Sequence, residues 1–418
     1  MNEQHSKKAN RATVHFDPTD ASLIENPHRV FAEFRQRSPV VWNDAGFWIA
    51  TGYDAVRSVI IDKRNFGQGD FIRNIQLYYG AEFDVFAHSA YRWLSEVFVY
   101  QDPPRHTRIR GLVSQALTVK RVREMRPDIE TITHGLLDRV SDQRNMELIH
   151  DFAYRLPTLV MCNMLGIGAD EADEALLARL NQAIADSFLV LEMRPLTAAE
   201  LELANRQTDF LESFFGEIFE RRRKHPRDDL ATALLHARDG DSQLTEREMI
   251  TVAIALFGAG FETTAHMIGN GVLVLRQNPQ EWQKLVATPE LATRATEEIL
   301  RYESSLIATY RTAFNDIEVG GQTIQAGERV LAVLAAANRD PEIFSQPDTF
   351  TVEREGPHHL AFGGGIHFCV GAELARLEGE IALRALATRM PALELAGSTP
   401  QWRPGFMFRG LSELRVRW

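Results

Sequence analysis

The sequence predicts a mainly α fold with a minor β portion, built around one long central helix that runs through the core. Three observations predict it. Leu244–Gln277 reads as a single helix, roughly 50 Å long at the rise of an α-helix. Residues 105–300 are mostly helical in pattern, punctuated at Pro127, Pro157, Gly166, Pro195, Pro226 and Gly240. Strand signals are few and short.

In chain order, residues 1–14 are expected to be disordered, and 15–418 to form one domain. A helix covers about His28–Arg37, followed by short strands at Val40–Trp42 and Phe47–Ala50. Residues 67–99 carry many aromatics, including Phe71, Tyr78, Tyr91 and Trp93, without a clean period, so a long loop with short helices is expected. Asp102-Pro103-Pro104 breaks the chain before a helix starting near Arg105. In the long helix Thr245 is the expected N-cap, with Glu248 completing a capping box. Asn278-Pro279 stops that helix. Its middle, Val252–Phe257, is apolar on all sides, which suits a core helix. Gly320-Gly321 suggests a hairpin between Ile317–Val319 and Gln322–Ile324, and Val330–Ala335 reads as another strand. A helix over 371–389 and short β pieces close the chain.

The chain has 418 residues and a formal net charge of −11, which argues against non-specific nucleic-acid binding. It has two cysteines, Cys162 and Cys369, far apart. No disulfide framework or structural zinc site can be built from them, and a reducing cytoplasm fits best. The N-terminus has no apolar stretch, and Thr251–Phe261 is too short to span a bilayer, so no membrane association is expected.

Two motifs carry chemistry. Residues 361–371 read Ala-Phe-Gly-Gly-Gly-Ile-His-Phe-Cys-Val-Gly, and a run of helix formers follows. Three glycines after Phe362 describe a turn where backbone packs close to a flat object. Cys369 then sits just before a helix N-terminus, where a thiolate is favoured. A lone cysteine is more often a small buried hydrophobe, and Cys162 keeps that reading. The second motif, Ala259-Gly-Phe-Glu262-Thr263-Thr264, places a carboxylate inside the apolar helix. Burying it is costly unless it is paired or hydrated, and by itself it is as well read as a surface Glu beside a helix-facing Thr.

With these motifs the chain resembles the cytochrome P-450 family over essentially residues 15–418. Phe362, Gly365, His367, Cys369 and Gly371 match that family's haem-binding signature. The resemblance implies haem b as cofactor, a cytochrome P-450-type haem fold, and Cys369 as the thiolate ligand of the iron. It implies that Thr263 orients dioxygen and Glu262 relays protons. Glu298 and Arg301, three apart on one helix face, together with Arg354, match the family's structural clamp. His106, Arg110, Arg311 and His367 match its propionate partners. Substrate contacts are implied near Leu256 and Ala259, in the segment Leu306–Tyr310 with Leu306 and Ile307 foremost, at Phe406 and Met407, and in the stretch 71–99. Ser305 departs from the proline of many bacterial relatives, so a relative's pocket shape does not transfer.

The implied activity is hydroxylation or epoxidation of a mainly apolar small molecule. A chain of this length has no room for a fused reductase, so a separate ferredoxin and an NAD(P)H-dependent ferredoxin reductase are the implied partners. A basic cluster of Arg105, Arg108, Lys120, Arg121, Arg123 and Arg126 is a possible docking face, and equally a solvated helix face. The alternatives are oxidative coupling, peroxide-driven turnover, or a haem-based ligand binder without turnover.

Overall fold

The computed structural model describes residues 13–168, 171–397 and 400–418. The expected disorder at 1–14 falls mainly on residues 1–12, outside that range. Thr13–Val14, its last two residues, instead form a strand.

Helices dominate the described chain. Glu246–Gln277 is one uninterrupted helix of 32 residues, capped as expected by the reciprocal Thr245–Glu248 box. By length and composition it could cross a membrane, yet 78% of its most apolar window is buried inside the protein. Its apolarity on all sides follows from burial on all sides. Arg155–Leu165, Ala198–Lys224 and Ala372–Arg389 pack against it.

The strands are, in chain order, β1 Thr13–Val14, β2 Val40–Asn43, β3 Phe47–Ala50, β4 Phe66–Gly67, β5 Asn145–Glu147, β6 Thr309–Ala313, β7 Ile317–Val319, β8 Gln322–Ile324, β9 Arg329–Ala332, β10 Glu394–Leu395, β11 Gln401–Trp402, β12 Leu411–Glu413 and β13 Arg415–Arg417. Six of them form one sheet in the order β1-β2-β3-β9-β6-β4. The expected hairpin is β7–β8, turned at Gly320 and Gly321, both at positive φ. The strand expected over Val330–Ala335 is shorter. It ends at Ala332, and Leu334–Ala337 turns helical as it enters the core.

The aromatic stretch 67–99 contains two helices, Phe71–Tyr79 and Ser89–Glu96. Asp70 caps the first by accepting the Arg73 N–H, a local signal present in the sequence. The absence of a clean period has a physical cause. Both helices are short, and their aromatics meet each other (Tyr79 edge-on to Tyr91, ring centroids 6.1 Å apart) and the loop between them (Tyr79 on Phe83, 4.1 Å) rather than one common face.

Candidate active site

The cysteine loop folds back on itself. Cys369 N–H donates to Phe362 O at 2.9 Å, and Gly363 N–H donates to Leu360 O at 2.8 Å. Gly365 has φ +62°, and a Cβ there would lie 2.8 Å from Ile60 O. Both backbone conformation and space therefore demand glycine at that position. The helix Ala372–Arg389 starts directly after, and Gly371, at its N-cap, provides no side-chain cap.

Cys369 is exposed, whereas Cys162 is buried. Desolvation by the surrounding protein pushes the Cys369 thiol up, while the Gly371 N–H, Arg110 and Arg376 pull it back. The Gly371 N–H at the helix start acts in the direction expected from position, favouring the thiolate. A coordinating metal ion deprotonates a thiol outright, and the Gly371 N–H, with Arg110 and Arg376 from two helices, favours the resulting charge. Cys162 is buried, with its thiol pushed up to about 12.

The four residues expected around the propionates converge from three elements. The His106 and His367 rings lie 4.3 Å apart. Arg311, 5% exposed, donates Nη1 to Thr309 Oγ1 and to Tyr310 O, with no ion pair to a carboxylate among the described residues. Arg110 donates to Phe368 O and so also holds the cysteine loop. Both ring nitrogens of His106 and of His367 are buried without a hydrogen-bond partner. Burial and the neighbouring cations push His106 down to about 4. Buried polar groups left unpaired are costly, and two carboxylates set among these imidazoles and guanidiniums would relieve that cost. The residues present thus fit haem: a thiol on a glycine-rich cradle, and a cationic pocket beside it with unspent donors.

Glu298, Arg301 and Arg354 form one buried cluster. Arg301 clasps Glu298 with two hydrogen bonds, of 2.7 and 2.8 Å, and Arg354 Nε donates to Glu298 Oε1 at 2.9 Å. The Asn338 carbonyl accepts from Arg301, and its side-chain oxygen accepts the Leu360 N–H at 2.6 Å. The cluster is thereby tied to the root of the cysteine loop. Asn338 gives no sequence signal of its own, because its role depends on meeting both partners in space.

Glu262 and Thr263 do not bond each other. Adjacent residues on a helix diverge by about 100°. Thr263 Oγ1 donates to Ala259 O at 2.7 Å, next to an Ala259 that is exposed in the middle of a buried helix. Glu262, 5% exposed, turns to another polar cluster. Its Oε1 accepts from Arg403 Nη1 at 3.0 Å, and Oε2 has no partner. Arg403 also meets Tyr154 Oη and lies 3.1 Å from His266 Nε2. Burial pushes the Glu262 carboxyl up and Arg403 opposes it. Sequence reasoning missed Arg403, Tyr154 and His266. Only His266, four residues after Glu262 on the same helix face, carried a local signal.

Of the expected substrate contacts, Ala259 is exposed and Leu306 half-buried. Leu256, Ile307, Phe406 and Met407 are 1–8% exposed and are packed in the core. Phe406 in particular packs edge-on against Phe16, with ring centroids 5.2 Å apart. The basic cluster is also less basic than its sequence. Arg108 pairs with Glu248, Lys120 with Glu124, Arg121 with Asp228, Arg123 with Glu373, and Arg126 with Glu130 and Glu380.

The sequence model of the cytochrome P-450 family matches residues 23–389. This chain belongs to the cytochrome P-450 family. It is 37% identical over 403 residues to 6-deoxyerythronolide B hydroxylase of Saccharopolyspora erythraea, covering 93% of this chain and 95% of the relative. The structure of P450BioI in complex with hexadec-9Z-enoic acid ligated acyl carrier protein superposes with a TM-score of 0.86 at 34% identity, covering 95% of this chain and 99% of that one. A Bacillus megaterium relative, CYP109E1 in complex with testosterone, gives 0.80 at 30% identity, covering 94% of this chain and 99% of that one. The chain is accordingly a cytochrome P-450 monooxygenase with a haem-thiolate cofactor. Bacterial members of the family typically draw their electrons from redox partners.

Proposed function

We propose that this cytochrome P-450, a single domain over 15–418 acting in the cytoplasm, hydroxylates or epoxidises a mainly apolar small molecule with haem b held by Cys369. Electrons come from a separate ferredoxin and its NAD(P)H-dependent reductase. The observation that carries the site assignment is the convergence of the Cys369 loop with two buried imidazoles whose four ring nitrogens have no partner.

When bound, the haem supplies dioxygen activation and transfer of one oxygen atom to substrate. The protein supplies the rest. Cys369 would give an electron-rich sulfur ligand, deprotonated by the metal, with the Gly371 N–H, Arg110 and Arg376 favouring the negative charge. His106, His367, Arg110 and Arg311 hold the propionates. Phe362, Gly365 and Gly371 shape the cradle, and Glu298, Arg301 and Arg354 brace it. On the other side Thr263 offers a hydroxyl to dioxygen. Glu262 is the buried acid of the relay, held by Arg403, and water would carry protons between its free Oε2 and the Thr263 side of the helix. Ala259 and Leu306 offer apolar surface to the substrate. Complexes such as that of CYP109E1 with testosterone support an apolar substrate, and a relay pair of this kind has no use in a ligand binder without turnover.

The Cys369→His protein tests the ligand. Its reduced carbon-monoxide complex is expected to lose the thiolate-type Soret band that the wild type shows. Retention of that band would refute the assignment. NADPH consumption with a generic ferredoxin system, coupled to substrate-dependent product, tests the enzyme.

A further inference from the structure

On the sheet face opposite Arg311 lies a cation that the site has not used. β6 and β9 pair with Thr312 opposite Arg329 and Tyr310 opposite Leu331. Tyr310 and Arg329 are therefore diagonal neighbours on one face, the spacing at which long side chains meet across strands. The Arg329 guanidinium lies over the Tyr310 ring, 4.4 Å from its centroid, and 5.9 Å from that of Tyr78 on the helix Phe71–Tyr79. Arg329 makes no ion pair with any described carboxylate, and its Nε is buried without a hydrogen-bond partner. The Tyr310 and Tyr78 hydroxyls have no bonded partner among the described residues either. The guanidinium and the two phenols thus hold unspent donors in one place. The buried Arg329 Nε costs free energy unless an acceptor meets it.

The surroundings say where that acceptor comes from. Tyr310 packs on the apolar cluster of Ile307, Leu331, Phe406 and Met407. This is the sheet face turned away from His106 and His367, toward segments 71–99 and 306–310, which were expected to meet substrate. Through Tyr310, the Arg329 cluster adjoins the apolar side chains of Phe406 and Met407. A guanidinium forks onto a carboxylate with two parallel hydrogen bonds, and phenolic hydroxyls add further donors.

We propose that Arg329, with Tyr78 and Tyr310, binds the carboxylate of the substrate, and that this cytochrome P-450 therefore takes aliphatic carboxylic acids. The inference rests on the monooxygenase reading above and deepens it: the substrate is apolar along its body and anionic at one end.

The test is titration of the haem spin state of the holoenzyme with decanoic, dodecanoic and hexadecanoic acids and with the corresponding alcohols. Wild type is expected to bind at least one acid more tightly than its alcohol. Arg329→Gln should weaken that acid by about tenfold to a hundredfold, the range of one charged hydrogen-bonded contact, and leave the alcohol unchanged. Arg329→Lys should keep part of the preference, and Tyr310→Phe should lose a smaller part. Three results would overturn the proposal: no acid bound more tightly than its alcohol, including no binding of either; Arg329→Gln weakening acid and alcohol alike; or Arg329→Gln losing haem, which would make the arginine a cofactor contact. A wild-type chain without a thiolate-type carbon-monoxide band would instead refute the underlying reading, so the two failures are distinguishable.

Discussion

Truncating Arg301 to alanine tests the clamp, and its cost follows from the structure. Arg301 is 2% exposed and donates five hydrogen bonds: two to Glu298, and one each to the carbonyls of Asn338, Pro347 and Thr349. Its removal strands the carbonyls of Asn338 and Pro347, while Thr349 O keeps Arg354, and leaves Glu298 buried with only Arg354 and the Thr351 N–H. Breaking a buried pair by removing one partner costs about 3–5 kcal/mol. Native domains hold about 5–15 kcal/mol in total, so the loss is a large share. The comparison is Lys284→Ala. Lys284 pairs with Glu353 at 2.8 Å, but both side chains are about half exposed, and exposed pairs contribute about 0–1 kcal/mol. Guanidinium denaturation followed by circular dichroism measures both. Because Asn338 links Arg301 to Leu360 at the root of the cysteine loop, Arg301→Ala should also weaken the thiolate-type carbon-monoxide Soret band. A destabilisation no larger than that of Lys284→Ala, with an intact band, would refute the reasoning.

Three further outcomes are expected. In Arg403→Gln the cation that opposes burial at Glu262 is gone, so this carboxyl should stay protonated to higher pH than in wild type. Its infrared carboxyl band, identified by its loss in Glu262→Gln, should titrate at higher pH, and product yield per NADPH should shift the same way; an unmoved midpoint, with Tyr154, His266 and Glu192 still facing the group, would sink the idea. Glu378 is fully buried, both its oxygens lack partners, and burial raises its pKa well above the ordinary carboxylate value. Its folded form therefore holds a proton that the unfolded chain releases, and stability should fall as pH rises above the unfolded pKa; Glu378→Gln should flatten that slope in denaturation midpoints measured across pH, and an equal slope in both proteins would count against it. Reversing Arg121 and Arg123 to Glu should slow ferredoxin reduction only modestly, since Asp228 and Glu373 already offset these charges; a steep loss at low salt would show that the cluster acts as a free basic face after all.

What the sequence by itself determined is local. The long helix, its capping box, the glycine-rich turn and the order of the motifs are written in spacing, because hydrogen bonds within a few residues and the demand for glycine at positive φ are short-range effects. Cys369 could be picked out from Cys162 on the same ground. Contacts between distant segments were decided by tertiary structure. Arg403 meets Glu262 across 141 residues, and Asn338 joins the clamp to the cysteine loop. Glu262 and Thr263, neighbours in sequence, face different partners because a helix turns between them. Arg108, Arg121, Arg123 and Arg126 of the basic cluster are paired with acids that reach them from other elements. The same rule applies to Arg329. Nothing in its sequence context marks it, and only the β6–β9 register sets it beside Tyr310 with its donors unspent.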